Sequence, residues 1–506
     1  MTADPQSNAL PLSAPLGAGA AVTAPRLRGR TLVAALLALA IALGGWLRLD
    51  AIGVREMSAD EGASWAAAAA PSLAGVVRIQ AALNPGKLAV YEIALHGWMR
   101  LFGDGLGAMR TLSAIFDTFN IVVVFMLVRE LLGTRPNQDA ALGAMPYAEA
   151  EAVAALTALL FAANLVTIKY ARELRMYPLA LLIVLLQIWI FVRVVRRRPA
   201  LFDLALLALL TALAVATHFS AAFMFFAEAL CLAAAPLIWP RGGRYPMATV
   251  LAIAGAFGAG AAIFLLVALP DLHSGAQAFA NGATGWIERP RWWAPLSLFN
   301  KGVGSVAFPA MAALAGWGTW RGWARAREAT AFSLAWMWLP PLLLLAASYG
   351  VSPMFVERYA LWCFVPFFML AALGVWEIPG ATARTLAIAV AICLALAHLH
   401  AYARRPHDTQ WCEAARAAAG ALVPGEKIAV APPYAVNAVR YCLRGMHGAA
   451  AVPMDDAGAR GGATGVLVIG DQWNAHAEVA KLRQGYPRPI AAFRGVRVCG
   501  GATPAR

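Results

Sequence analysis

The feature that most constrains this chain is a series of apolar runs between Thr31 and His400. Each is about 18 residues or longer, the length a helix needs to cross a bilayer. A helix satisfies its own backbone donors and acceptors, so such runs fit a hydrocarbon environment. Apolar residues make up 61% of the chain and charged residues 13%, where soluble proteins carry about 25% charge. That deficit excludes a string of soluble domains. From Tyr402 onward the charge density rises and the long apolar runs stop. The expected fold is a polytopic α-helical membrane protein with a small α/β domain at its C-terminus. The expected division is a disordered cytoplasmic tail rich in Ala, Pro, Gly and Ser over 1–25, a membrane domain over 26–400, and a soluble domain over 401–506.

The net charge of +14 does not point to nucleic acid. The basic residues sit at the ends of apolar runs, and no Lys/Arg stripe is interleaved with aromatics. Their placement is an orientation signal. Eleven spans are expected, near 31–49, 108–128, 151–169, 177–195, 201–219, 221–239, 248–269, 302–319, 330–349, 360–376 and 383–400. The first follows Arg26, Arg28 and Arg30 with no small-residue cleavage site after it, as in an uncleaved signal anchor. With the N-terminus inside, the inner joints hold Arg129 and Arg135, the Arg193/Arg196/Arg197/Arg198 cluster, Arg241 and Arg244, Arg321/Arg325/Arg327, and Arg384. Every one is basic, and an odd span count places the C-terminal domain outside. That geometry is expected of a bacterial inner membrane with a periplasmic domain.

Two outer segments are long, 50–107 and 270–301. Within the first, Leu73, Val76, Val77, Ile79 and Leu83 predict a helix along the membrane surface. In the C-terminal domain, Lys427–Ala431 and Gly465–Gly470 read as short buried strands, and Ile490–Cys499 as a last one. Ala435–Leu443 and Asn474–Gln484 read as helices, and neither strand is followed by a dinucleotide glycine fingerprint. Cys231, Cys363 and Cys393 fall in spans and are expected to pack as small apolar groups. Cys412, Cys442 and Cys499 fall in the oxidising compartment, which predicts one disulfide among them and one thiol left over.

The sharpest chemical feature is Met57-Ser-Ala-Asp60-Glu61, just outside the first span. Adjacent carboxylates on a helix point about 100° apart, so only one can face a given substrate. Asp60 is expected to act as general base and Glu61 to support it. The alternative is a solvated loop acid or a helix cap. The second feature is Lys169-Tyr-Ala-Arg172-Glu173-Leu-Arg175-Met-Tyr177-Pro178 at the outer end of the third span. Three cations at a spacing of three share a helix face. Snorkelling explains one or two there; three, with an acid and a tyrosine, on the side that the positive-inside rule depletes, predict an anionic head group as partner. Lys87, Lys301 and Arg358 are the other outer cations. His218, at the outer end of the fifth span, is either a helix cap or a functional group.

At these residues the chain resembles the C-type glycosyltransferases, and within them the bacterial protein mannosyltransferase and aminoarabinose-transferase-like group. The acidic pair Asp60-Glu61 is similar to that group's first-loop Asp-Glu. Leu95-His96-Gly-Trp98-Met-Arg100-Leu-Phe102-Gly103 with Arg110, Ala171-Arg-Glu-Leu-Arg-Met-Tyr177, Thr217-His218 and Glu357-Arg358-Tyr359 extend the likeness along the membrane domain. Members carry His-Pro-Pro or Lys-Pro-Pro in the first loop, where this chain has Asn84-Pro85-Gly86-Lys87. The resemblance implies a polyprenyl-phosphate-linked sugar donor, inversion at the anomeric carbon, and a lipid, glycan or protein acceptor. It assigns Asp60 and Glu61 to catalysis, and Lys87, Arg172, Arg175 and Arg358 to the donor phosphate. Glu173, Tyr177, His218, His96, Tyr359 and Lys301 are expected in support. Asp60 and Glu173 are candidate ligands for a divalent cation, which no motif demands. The rival reading, a transporter or flippase of a lipid-linked sugar, predicts an internal repeat with broken spans in matching halves; none is evident.

Overall fold

The computed structural model describes residues 24–134, 145–197, 199–238, 247–280, 287–404, 409–454, 464–471 and 484–501. The N-terminal tail up to residue 23, Arg135, Arg198, Arg241, Arg244 and all but the last residue of the helix expected over Asn474–Gln484 lie outside them.

The first long helix is α1 (Ala24–Leu49). Three helices then fill the first outer segment: α2 (Ala59–Ala68), α3 (Leu73–Leu83) and α4 (Val90–Phe102). The helix expected over Leu73–Leu83 is therefore present. The helix α2 starts on a capping box, in which the Ser58 hydroxyl accepts from Glu61 N and the Glu61 carboxylate accepts from Ser58 N. Next come α5 (Leu106–Leu132), a two-residue parallel bridge of β1 (Gly133–Thr134) with β2 (Met145–Pro146), and α6 (Tyr147–Ala162). Asn164 caps a separate helix, α7 (Leu165–Ala171), and the pair α6–α7 bends by 60° there.

The bundle continues with α8 (Tyr177–Arg196), α9 (Leu201–Thr217), α10 (Ala221–Ile238) and α11 (Met247–Ala280). The last corrects the sequence reading: the second outer segment was expected to leave its helix near Asp271, yet α11 runs through Pro270 to Ala280. Its C-terminal end meets the loop after α3, where a Cβ added at Gly86 would stand 2.9 Å from the Gly275 Cα. Then follow α12 (Ala294–Val303) and α13 (Phe308–Arg325), bent by 109° about Gly304. The span expected at 302–319 is therefore broken near its start. Gly304 has φ +87°, a conformation that glycine takes without steric penalty, and Pro309 fits the first turn of α13. The set closes with α14 (Arg327–Gly350), α15 (Phe364–Trp376) and α16 (Ala381–Ala403).

Among the described residues six helices are long and apolar enough to cross a membrane, and eight segments are if each bent pair counts as one. The other three expected spans fall on shorter apolar helices, Leu201–Thr217, Ala221–Ala234 and Leu361–Trp376. The bundle is tied at small residues and at buried ion pairs, Arg48–Asp117 among them. The helices α13 and α15 cross backbone to backbone, a Cβ at Gly318 meeting Gly374 N at 2.7 Å. Arg48 of α1 is fully buried, donating to Asp117 Oδ2 at 2.7 Å and to the Ala162 carbonyl at 3.0 Å.

The C-terminal domain holds α17 (Trp411–Gly420), β3 (Lys427–Ala431), α18 (Val436–Cys442), β4 (Ala451–Pro453), β5 (Thr464–Gly470), β6 (Arg488–Phe493) and β7 (Val496–Gly500). Its sheet runs β4-β3-β5-β7-β6, parallel among the first three strands and antiparallel beyond. The single last strand expected over Ile490–Cys499 is instead a hairpin turning at Gly495, whose φ is +73°. Cys412 and Cys442 form a disulfide between α17 and α18, and Cys499 is a buried free thiol.

Candidate active site

The site is built on α2. Glu61 is buried and all its acceptor capacity is used inside the protein. Its Oε1 accepts from Arg110 Nε at 2.7 Å and Leu174 N at 2.8 Å; its Oε2 accepts from Arg110 Nη2 and Ser58 N, both at 2.8 Å. Arg110 donates its remaining N–H groups to the carbonyls of Ile52, Arg55 and Glu56. Burial pushes the Glu61 carboxyl up, and Arg110 with the two backbone donors pushes it further down, below the usual carboxylate range. Glu61 is therefore a fixed anchor, and its neighbour is turned about 100° away.

That neighbour, Asp60, makes no side-chain hydrogen bond among the described residues. The residue is exposed, with Arg175, Arg358 and Lys87 close enough for their charges to act on its carboxylate. Desolvation pushes it up, but the charges of Arg175, Arg358 and Lys87 outweigh that and hold it below the ordinary range. The three cations come from separate segments. Arg175, in the α7–α8 connection, is buried and donates to the Asp60 backbone carbonyl at 2.8 Å. Arg358, in the turn Glu357–Tyr359, lies over the rings of Tyr177 and Tyr359 at 5.5 and 5.8 Å. Lys87 follows the Gly86 turn; burial and the two guanidinium groups lower its ammonium to about 8, against the pull of Asp60 and Glu92.

Glu173 and His218 complete the group. Burial lifts the Glu173 carboxyl to about 7, with Lys169 and Arg358 opposing and Glu61 and Asp60 reinforcing. Burial, then Lys87, Arg358 and Arg175, keep His218 well below its usual value, so its ring is neutral near pH 7. Its Nδ1 accepts from Ser220 N at 3.3 Å and contacts Ser220 Oγ at 2.7 Å. The proton is therefore assigned to Nε2, which has no hydrogen-bond partner among the described residues. The ring packs 4.6 Å from Tyr359 and 5.7 Å from Tyr177.

Three expected site residues are not brought to this group. Arg172 was expected to share a helix face with Arg175, but α7 ends at Ala171 and the face ends with it. Arg172 donates to the Leu47 carbonyl at 3.1 Å, and its charged neighbours are Arg55, Asp50 and Arg110. His96 is buried in α4, its Nδ1 2.8 Å from the Ala68 carbonyl at the end of α2. Lys301 pairs with Glu357 beside the site, lining a cavity of about 270 Å³ with Leu298 and Val356. One residue was missed. Glu92 of α4 is buried, accepts from Ser64 Oγ at 3.2 Å and faces Arg175 and Lys87. Its place on an amphipathic helix beside the acid-bearing one was the available signal.

The donor set does not suit a divalent cation. Among the described residues no three His, Cys, Asp or Glu side chains gather as a metal site requires. Beside Asp60 an added metal would meet Arg175, Arg358 and Lys87 instead of further anions. What the arrangement can do is bind an anion against three cations while an ionised carboxylate stands next to it.

No family model matches the chain, and no curated protein matches it. Solved structures do. ArnT from Cupriavidus metallidurans in the apo state aligns over 94% of this chain and 98% of its own, with TM-score 0.61 at 12% identity. The same protein bound to undecaprenyl phosphate aligns over 96% and 99%, with TM-score 0.54 at 10% identity. The oligosaccharyltransferase AglB from Archaeoglobus fulgidus, in complex with an inhibitory peptide and a dolichol-phosphate, aligns over 94% of this chain and 74% of its own, with TM-score 0.53 at 11% identity. The chain therefore has the fold of ArnT and AglB.

Proposed function

We propose that this chain is an inverting glycosyltransferase of a bacterial inner membrane, moving a hexosyl or pentosyl group from a polyprenyl-phosphate donor to an acceptor hydroxyl at the periplasmic face. The observation that carries the reading is Asp60 among Lys87, Arg175 and Arg358, drawn from three segments onto one carboxylate. In this reading residues 26–400 are the transferase domain and 401–506 a periplasmic domain. The acceptor is a lipid, glycan or protein hydroxyl, as the resemblance implies.

The chemistry follows from the residues. The donor phosphate binds Arg175, Arg358 and Lys87 by charge-assisted hydrogen bonds, with the His218 Nε2–H as a neutral donor. Phosphate binding also cancels part of the positive field on Asp60, which raises its basicity when a donor is present. The acceptor oxygen attacks the anomeric carbon from the face opposite the phosphate. As that C–O bond forms, Asp60 takes the hydroxyl proton and the bond between the anomeric carbon and the phosphate oxygen breaks. The electron pair leaves with polyprenyl phosphate, already a stable anion, so no strong general acid is required. One base on the opposite face suffices for inversion, as in inverting glycosidases.

The test uses the purified chain in lipid nanodiscs with radiolabelled polyprenyl-phosphate sugars, counting released polyprenyl phosphate and glycosylated acceptor. Asp60→Asn is expected to lower turnover about a hundredfold or more while retaining donor binding. Wild-type turnover in Asp60→Asn would overturn the assignment of the base. Absence of transfer from every polyprenyl-phosphate sugar would overturn the transferase reading.

A further inference from the structure

The helix that carries Asp60 is held from two sides, and one of them is the C-terminal domain. At Gly62 the α2 backbone lies directly on the start of α18. A Cβ added at Gly62 would stand 2.9 Å from both the Ala438 Cα and the Asn437 carbonyl carbon. These are backbone atoms, which do not step aside as the end of a side chain would. Near the middle of α2, Trp65 meets Tyr441 edge-on at 5.3 Å. The Arg444 guanidinium lies over both rings, 5.5 Å from Trp65 and 3.7 Å from Tyr441, and pairs with Asp104 in the α4–α5 connection.

A second attachment lies just before the α2 cap. The Glu56 carboxylate accepts from Cys412 N at 2.7 Å, at the start of α17. Its backbone carbonyl accepts from Arg110, the partner of Glu61. The two attachments are joined covalently, because Cys412 of α17 is disulfide-bonded to Cys442 at the end of α18. The bond therefore closes a bracket around the segment from Glu56 to Trp65.

We infer that the C-terminal domain is a positioning element of the transfer site, with Gly62 as the seat and the Cys412–Cys442 disulfide as the tie of a bracket that sets Asp60 against Arg175, Arg358 and Lys87. This rests on the transferase reading above. It makes Gly62, Cys412 and Cys442 positioning residues; none of them touches donor or acceptor. It also makes turnover sensitive to reduction of one disulfide in the oxidising compartment. Donor affinity, held largely by Arg175, Arg358 and Lys87 outside α2, is much less affected.

The inference is tested on the full chain in nanodiscs, oxidised and then treated with a membrane-impermeant phosphine reductant. Reduction is expected to lower kcat about tenfold or more, since a displacement of about 1 Å can remove a hundredfold. Binding of undecaprenyl phosphate, the probe used, is expected to stay within about twofold. A Cys412→Ser/Cys442→Ser variant should match the reduced protein and lose its response to the reductant. Gly62→Ala should show the same split of kcat from probe binding. The acidic limb of its kcat/KM profile should move to higher pH as Asp60 leaves its cations. Wild-type kcat in the reduced protein and in both variants overturns the inference, and so does a parallel loss of probe binding. Hydrogen–deuterium exchange over 59–68 supplies a readout independent of turnover. Reduction should speed exchange there and leave α5 and α8 unchanged, and unchanged exchange in α2 overturns the bracket even if the transferase reading stands. Faster exchange in α2 without any glycosyl transfer would keep the bracket and refute only that reading.

Discussion

Glu61 and Asp60 are adjacent acids with opposite consequences when neutralised. In Glu61→Gln the amide keeps one acceptor oxygen, while its NH2 replaces the other. Whichever way the amide turns, two of the four hydrogen bonds to Arg110 Nε, Arg110 Nη2, Leu174 N and Ser58 N become donor–donor contacts. Bonds to a charged group are worth about 1.5–3 kcal/mol each. The buried Arg110 also loses its counter-charge, and breaking such a pair from one side costs about 3–5 kcal/mol. The two routes agree on a loss of about 3 kcal/mol or more, enough to lower the thermal midpoint clearly. Asp60→Asn removes no side-chain hydrogen bond among the described residues and should move the midpoint far less. The pH dependence has a definite sign. The folded Glu61 carboxyl is held below the ordinary glutamate value of 4.5, so its stabilisation is complete above that value and is lost as pH falls through the folded one. Unfolding midpoints in nanodiscs between pH 3 and 7 test both statements, with Glu61→Gln expected to flatten the acidic fall. An unchanged midpoint in Glu61→Gln would refute the anchor role.

Lys87 titrates near 8 and Glu173 near 7, so undecaprenyl phosphate binding should weaken as pH rises through 7–8. Lys87→Arg should move the upper limb to higher pH, Glu173→Gln should remove the lower one, and an unchanged profile in both would detach these groups from the site. Arg175→Ala and Arg358→Ala should each lower donor use about tenfold to a hundredfold. Arg172→Ala, which removes a bond to the Leu47 carbonyl, should leave kcat/KM near wild type, and equal losses in all three would restore the helix-face reading. Gly318→Val forces side-chain atoms into the backbone of α15 at Gly374; a fall of several degrees in thermal midpoint is expected, and no fall would mean the crossing adjusts.

Much of the helical layout was legible because apolar length acts locally. Each expected span falls on a helix or a bent pair, and the Leu73–Leu83 helix was visible from its apolar stripe. The breaks were not. Asn164 ends α6 by capping the next helix, and Gly304 sits in an otherwise apolar stretch; either residue is tolerated in a continuous span. That Asp60 and Glu61 point in different directions followed from helical geometry alone; that Glu61 is the anchored one rests on Arg110, 49 residues away in sequence. The shared helix face of Arg172 and Arg175 was misread because a periodic pattern carries no information on where its helix stops. Glu92 was missed since a single acid on an amphipathic helix looks like solvated surface until tertiary packing buries it. The hairpin at Gly495 was hidden by two short strands of similar composition either side of an Arg-Gly pair.

The overshoot of α11 gives the chain a ruler. Its 34 residues measure about 50 Å at 1.5 Å per residue, well beyond a hydrocarbon core of about 30 Å. The surplus carries Gly275 up against Gly86, beside Lys87. In the proposed topology the height of that ammonium above the lipid is gauged by helix length rather than left to a loop. A thicker membrane would draw the gauge inward, and one turn added or removed before Pro270 would reset it by about 5.4 Å. Sensitivity of sugar transfer to bilayer thickness would then be a property of a single rod.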